Sequence, residues 1–304
     1  MKRVVVTGGA GFIGSHLAEE LVKQGYHVTI IDDLSSGNTV NIELLLKNGN
    51  VEFIQGSITD LPLLRQLFQG VGYVFHQAAI ASVSRSVDDP QTSHQSNVTG
   101  TLNILLAARD SGVSKVISAS SSSVYGDNPI LPLKEDMLPS PQSPYAVTKL
   151  AGEYYCHAFH QVYALPTISL RYFNVYGPRQ DPESQYAAVV PRFIGHVSQG
   201  SPPVIFGDGE QTRDFTFVKD VVAANILAAK SDAVGVYNIG EGESISINHL
   251  ADSIVKLLGS NIKPIYDKPR PGDIRHSLAD ISKARAIGYE PSYSLEAGLE
   301  ETIL

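Results

Sequence analysis

The sequence predicts an α/β protein: a doubly wound parallel sheet in its first part, followed by a smaller, loop-rich α/β portion. Three observations carry this reading. Short apolar, β-rich runs alternate with helical patterns up to about residue 170. A glycine-rich turn, Gly8-Gly9-Ala10-Gly11, joins the first run to the first helix. Beyond Phe173 the texture changes, because Pro178, Pro182, Pro191, Pro202 and Pro203, with Gly207 and Gly209, cut the chain into short pieces.

Strands are predicted over 3–7, 27–31, 51–55, 73–76, 115–119 and 167–171, and helices over 12–24, 61–69, 98–111 and 145–162. In the first helix Ile13, Leu17 and Leu21 recur at the spacing that lines one helical face. Strands alternating with helices require right-handed crossovers and a parallel sheet covered on both sides. In the second part, helices are expected over 221–230 and 248–258 and a strand over 234–239. The division is placed at 1–173 and 174–304, with a later strand or helix free to return to the first portion.

Composition narrows the function classes. The 304 residues are 43% hydrophobic and 18% charged, enough for a substantial core and unlike a disordered chain. A formal net charge of -8 argues against nucleic-acid and anionic-membrane partners. Cys156 is the single cysteine, so no intrachain disulfide forms, and the nine histidines are scattered without ligand spacing, so no metal site is expected. No apolar run approaches the length that spans a bilayer. The expectation is a soluble, cytoplasmic protein.

The segment from Val4 to Gly14 reads as strand, glycine-rich turn and helix start. Glycines allow the tight turn and let the backbone approach a pyrophosphate, and the helix N-terminus offers it free amides and a favourable dipole. Gly8, Gly11 and Gly14 are the residues concerned. Asp32 and Asp33 end the second strand, where a carboxylate accepts from the adenosine ribose hydroxyls and repels a 2′-phosphate. This is a Rossmann nucleotide site with NAD as cofactor. Asp32 is assigned to the ribose and Asp33 to a second contact, either of which also suits a turn cap.

Tyr145 and Lys149 stand four residues apart on one helical face. A tyrosine is a poor base at neutral pH, and a nearby ammonium with a positive nicotinamide brings its phenolate into range. Ser120-Ser121-Ser122-Ser123 follows the fifth strand at the carboxyl edge of the sheet, where ligands of this fold bind. Its hydroxyls are placed to orient a substrate hydroxyl beside Tyr145.

On these residues the chain resembles the extended branch of the short-chain dehydrogenase/reductase superfamily, and within it the UDP-hexose 4-epimerases. The resemblance runs through TGGAGFIGSHL at 7–17, DDLSSG at 32–37, HQAA at 76–79, NVTGT at 97–101, SSVYGD at 122–127, YAVTK at 145–149, RYFNVYGPRQDP at 171–182, DGEQTRDF at 208–215 and RPGDIRHSLAD at 270–280. It implies Phe12 and Ile13 on the pyrophosphate. Ser35, Ser36, Gly37, Ile58, Gln77, Ala78, Ala79, Asn97 and Phe173 are implied around the rest of the cofactor. Ser121 is implied as the catalytic serine with Ser122 and Ser123 beside it, and Asn174, Arg213, Arg270 and Asp273 on the UDP moiety. Where relatives carry an aspartate against adenine, this chain offers Ser57, a weaker partner.

The implied reaction is NAD-dependent epimerisation at C4 of a UDP-hexose through a 4-keto sugar. Tyr145 acts as acid and base, Ser121 assists and Lys149 tunes Tyr145. A 4,6-dehydratase is disfavoured, since the similar dehydratases carry Asp-Glu where this chain has Ser122 and Ser123; related decarboxylases carry a glutamate in the same loop. A non-catalytic NAD-sensing protein is disfavoured because Tyr145, Lys149 and the serine are all present. Ser277 aligns with a residue flanking the sugar 2-position, and its small size leaves room for an N-acetyl group. UDP-GlcNAc and UDP-GalNAc are therefore expected alongside UDP-Glc and UDP-Gal. Relatives dimerise through helices like 98–111 and 145–162, which implies a homodimer.

Overall fold

The computed structural model describes residues 2–181, 188–269 and 274–304. Its centre is a seven-stranded sheet in the order β11-β6-β5-β4-β1-β2-β3, with every neighbouring pair parallel. The strands are β1 (Arg3–Thr7), β2 (His27–Asp32), β3 (Val51–Gln55), β4 (Tyr73–His76), β5 (Lys115–Ser121), β6 (Thr167–Tyr172) and β11 (Gly235–Ile239). Four short strands lie between β6 and β11, namely β7 (Asn174–Tyr176), β8 (Val204–Phe206), β9 (Thr212–Arg213) and β10 (Phe215–Phe217). The last two are β12 (Ile245–Ser246) and β13 (Ile265–Asp267). These pair off in twos: β7 with β10, β9 with β12 and β8 with β13. The fold is Rossmann-like α/β.

The apolar runs explain the central sheet. Val4, Val5 and Val6 are all fully buried, yet Val4 and Val6 join one core and Val5 the other. A strand covered on both faces has no polar side, so its sequence runs apolar without alternation. Each such valine contributes about 1.5–3 kcal/mol of transfer free energy. One core forms under α1 (Phe12–Lys23) and α9 (Val218–Lys230). The other forms under α3 (Leu61–Leu67), α6 (Gly100–Asp110) and α7 (Pro144–Tyr163). A third core, around Phe193, Phe217 and Leu250, holds the later portion together.

One return that the sequence left open is taken, and one helix begins differently from expectation. First, β11 and α9 return to the first portion, so the sheet is completed by residues beyond 217. Second, α6 does not begin at 98. The chain enters it through α4 (Val83–Asp88), α5 (Pro90–His94) and a π-helical turn at Gln95–Thr99. Residues 87–92 are exposed, so no apolar stripe announced these helices. The remaining helices are α2 (Glu43–Leu46), α8 (Val189–Ser198), α10 (Ile247–Leu257), α11 (Ser282–Arg285) and α12 (Leu295–Ile303).

Candidate active site

Strand order reverses between β1 and β4, and there, beyond the carboxyl ends of the strands, lies a cleft of about 270 Å³. It is lined by Gly8, Gly11, Phe12, Ile13, Gly14, Asp32, Asp33, Ser35, Ser36, Ile58, Gln77, Ala78 and Ala79. Thirteen of the expected cofactor residues thus come together. The backbone shapes this cleft. Gly8 has φ +68°, and a Cβ on it would stand 2.6 Å from the Ala78 nitrogen; one on Gly14 would stand 2.1 Å from the Gly8 oxygen. No side chain caps the N-terminus of α1, which leaves first-turn amides for an anion. The cradle that a Cβ would fill suits a dinucleotide pyrophosphate.

Asp32 is nearly buried, and both its oxygens hold backbone: Oδ2 accepts from Ala10 N at 2.9 Å and Oδ1 from Leu34 N at 2.9 Å. Burial pushes its carboxyl above the ordinary range, and these amides oppose the shift. Gly37 lies against this carboxylate, 2.8 Å from Oδ1 to where a Cβ would sit. Asp33 accepts from Ser35 N at 2.9 Å and closes the following turn. Both aspartates therefore shape the loop as well as lining the cleft.

Three expected cofactor residues sit differently. The Ser57 hydroxyl is engaged with Thr59, 2.9 Å to its hydroxyl and 3.2 Å to its amide, while Ile58 and Gly56 line the cleft. Asn97 spends its whole amide internally: Oδ1 accepts from Ile80 N at 2.8 Å, and Nδ2 donates to Ile80 O at 3.1 Å and Thr148 Oγ1 at 3.0 Å. It ties the loop after β4 to α7. Phe173 is 2% exposed and packs with Tyr125 in the core.

The structure adds residues the sequence did not single out. Gln77 donates to Asn225 Oδ1 at 3.0 Å and accepts from Tyr172 OH at 3.2 Å, while Asn225 Nδ2 donates to Tyr172 OH at 2.8 Å. This triangle fixes Gln77 from α9 and β6. His76 is enclosed between Thr7 Oγ1 (2.8 Å to Nδ1) and Thr101 Oγ1 (2.9 Å to Nε2). Thr101 donates to Asn97 O and Thr7 Oγ1 accepts from Ala78 N, so the network assigns the proton to Nε2. Burial, with the Lys149 charge, pushes His76 down to about 3, so it stays neutral.

The residues expected to react gather where β5 ends and α7 begins. Ser143 caps α7 by accepting from Ala146 N, and Pro144 occupies its first turn. Tyr145 is 9% exposed, its amide donating to Ser86 Oγ at 3.0 Å. Burial raises its pKa, and a hydrogen bond with Ser121 offsets this in part. Lys149 Nζ lies 5.9 Å from the Tyr145 ring centroid and donates to Ala119 O at 2.9 Å. Burial pushes Lys149 down to about 8 against the opposing charge of Glu153. Ser121 Oγ accepts from Ser123 N at 3.1 Å, closing the short turn Ser122–Tyr125. The Ser123 hydroxyl is buried without a partner in the protein.

Asn174 and Arg213 come together in a second cavity of about 230 Å³ with Arg192, Phe206, Gln211 and Phe215. Gln211 is 7% exposed; its Nε2 donates to Phe206 O at 2.8 Å and its Oε1 has no protein partner. Ser277 is buried, with its amide bonded to Thr212 O at 3.1 Å, beside Arg213. Arg270 and Asp273 lie outside the described residues. Among the described residues no cluster of His, Cys, Asp or Glu could hold a metal ion, and no helix is long and apolar enough to cross a membrane.

The sequence profile of the NAD dependent epimerase/dehydratase family matches residues 4–240, ending one residue past β11. The chain belongs to this family. It is 41% identical to the UDP-glucose 4-epimerase of Mycolicibacterium smegmatis, covering 99% of this chain and 97% of the relative. Among solved structures, it is similar to the UDP-N-acetylglucosamine 4-epimerase of Methanobrevibacter ruminantium M1 in complex with UDP-N-acetylmuramic acid. The TM-score is 0.97 at 47% identity, covering 99% of this chain and 97% of that one. The UDP-glucose 4-epimerase of Thermotoga maritima with UDP-glucose gives 0.94 at 41% identity, covering 99% and 97%. Members of this family use NAD, and the glycine-built cleft, open beside β4 and β1, has a lining that suits it.

Proposed function

We propose that this protein is a UDP-hexose 4-epimerase, interconverting UDP-Glc with UDP-Gal and UDP-GlcNAc with UDP-GalNAc. The observation that carries this is the Tyr145–Ser121–Lys149 group beside a serine loop with no carboxylate at Ser122 or Ser123. Dehydration needs a second acid–base pair there; epimerisation does not. The full-length likeness to two UDP-sugar 4-epimerase structures supports the same reading.

NAD held in the glycine-built cleft would supply reversible hydride transfer at the sugar C4. The protein's part is positioning and proton transfer. The Tyr145 phenolate oxygen takes the proton of the sugar 4-hydroxyl and, as a hydroxyl, later returns it to the 4-oxygen, with the Ser121 hydroxyl holding that oxygen. In the protein alone burial disfavours the phenolate, so the Lys149 ammonium is needed to bring it into range. Asn174, Arg213, Arg270 and Asp273 are assigned to the UDP moiety, where arginines suit bidentate phosphate recognition. Gly8, Gly11, Phe12, Ile13, Gly14 and Asp32 are assigned to the cofactor.

The test is incubation of the purified protein with each UDP-sugar, without added NAD, and identification of products by NMR. C4 epimers are expected from both pairs. A 4-keto-6-deoxy product would overturn the reaction, and no turnover of the acetylated pair would overturn that part of the substrate range. In the same assay Ser277→Tyr is expected to lower kcat/KM for the acetylated pair about 10- to 100-fold and spare the plain pair.

We also propose a homodimer. Val147, Tyr154 and Tyr155 on α7 and Val83 and Val87 on the adjoining α4 are exposed and apolar, a face that association would cover. The apolar residues of α6 are used within the chain, against α3 and α7, so α4 is its better companion. Sedimentation at the mass of two chains is the expected result, and a single-chain mass would refute it. The buried free thiol of Cys156 fits a reducing cytoplasm, which cell fractionation checks.

A further inference from the structure

A third residue shares the reactive face of α7. Tyr145, Lys149 and Glu153 follow at intervals of four, which stacks them along one side of the helix. Glu153 is buried and its carboxylate fully engaged. Oε1 accepts from Ser120 Oγ at 2.5 Å and from Arg171 Nε at 2.8 Å, and Oε2 accepts from Arg171 Nη2 at 2.7 Å. Ser120 immediately precedes Ser121 in β5 and stands opposite Arg171 in the β5–β6 register. The guanidinium in turn lies 4.6 Å from the Tyr125 ring centroid. A buried ion pair gains little stability over apolar side chains of equal volume, so its presence here is better explained by what its two ends reach. One end holds the strand that presents Ser121. The other brings a negative charge to Lys149.

We propose that Glu153 is a positioning residue of the reaction, fixing Ser121 through Ser120 and keeping Lys149 an ammonium beside Tyr145. The titratable groups that face Lys149 are neutral His76 on β4 and Tyr145 and Glu153 on α7. Of these Glu153 alone is anionic, and its charge is the one that opposes the effect of burial on Lys149. Removing it also leaves Arg171 as an uncompensated buried cation, which disfavours the Lys149 ammonium further. With Lys149 neutral the Tyr145 phenolate loses its support, so the acid limb of the rate profile moves to higher pH.

The inference rests on the 4-epimerase reading, and its test is arranged to keep the two apart. Epimerisation of UDP-Glc and UDP-GlcNAc by the holoenzyme is followed from about pH 5 to about pH 10 for wild type and Glu153→Gln. Bound nucleotide and Tm are recorded in parallel. Glu153→Gln is expected to keep its NAD and its KM within about twofold, to lose about 10- to 100-fold in kcat at pH 7, and to shift the acid limb up by about one pH unit. An unmoved limb would overturn the proposal, since a merely structural loss lowers the rate at every pH alike. Should that variant not fold, Glu153→Asp keeps the charge on a shorter arm: its limb should coincide with wild type at reduced kcat, and a shifted limb would overturn the proposal. Phenolate absorbance of the same holoproteins reads the Tyr145 shift without turnover, with Tyr145→Phe identifying the signal. Failure of the epimerase reading therefore leaves this measurement to decide.

Discussion

Around the glycine-built cleft close backbone contacts make most of the shape, whereas in the later portion single carboxylates and amides reach across loops to hold it. In the first region Gly8, Gly14 and Ala78 approach so closely that no side chain fits between them, and long parallel strands fix their positions. In the second the strands are two or three residues long. There Asp214, fully buried, gathers Glu241 N, Gly242 N and Ala279 N at 2.7–3.1 Å. Its backbone oxygen also receives Asn174 N at 2.9 Å. Asn238, on the returning strand β11, ties that portion to the first, bonding Tyr125 OH, Leu133 O and Asp280 O. The glycine-built cleft is cast largely in backbone. The later portion hangs on side chains that one substitution alters.

The largest expected effect follows from breaking the first mode. In Gly14→Ala the new methyl would meet the Gly8 oxygen at 2.1 Å and the Gly8 carbonyl carbon at 2.8 Å, and neither can swing away. A destabilisation of about 3 kcal/mol is expected, together with loss of co-purifying NAD, read by denaturant titration and nucleotide content. Full retention of both would show that the backbone fit is looser than these distances imply.

A smaller effect, and one that depends on pH, follows from touching the second mode. Burial pushes the Asp214 carboxyl up to about 6, above its unfolded value of about 3.9. The folded state then binds this proton more tightly than the unfolded state. Its contribution to stability is full below about pH 4 and is lost as pH rises towards about 6. Asp214→Asn abolishes that titration. Urea midpoints at pH 4 and pH 7 should therefore differ between wild type and variant by about 2 kcal/mol in pH dependence, wild type losing more on the alkaline side. Parallel profiles for the two proteins would argue that Asp214 is ionised throughout.

The same contrast explains what could be read from the amino acids. Strands buried on both faces, such as Val4–Val5–Val6, write themselves as continuous apolar runs, and the six strands of the first portion fall within two residues of expectation. Tyr145 and Lys149 stand out through their spacing only together with the serine loop and the surrounding motifs, and the structure places both on a capped helix. The β7–β10 and β9–β12 pairings join residues about 30 to 40 positions apart through stretches too short for periodicity. Asn225 and Gln211 look like ordinary polar residues until the fold sets them beside Gln77 and Phe206. The resemblance sets Ser57, Asn97 and Phe173 beside the cofactor, whereas the Ser57 hydroxyl, the Asn97 amide and the Phe173 ring are engaged in the turn, the loop and the core. Sequence motifs locate a residue near a site; the hydrogen-bond ledger decides which way it faces.

The return of β11 to the edge of β6 bears on how the chain is made. All six residues of β6 are buried, and the strand has β5 on one side only until Gly235–Ile239 arrives on the other. Asn225, which steadies Gln77, is also supplied late. A nascent chain leaving the ribosome thus carries the glycine turn early but an open, apolar sheet edge for some sixty residues more. Such edges invite pairing with the wrong partner, so the interval between β6 and β11 is the stretch of synthesis in which this protein most depends on shelter.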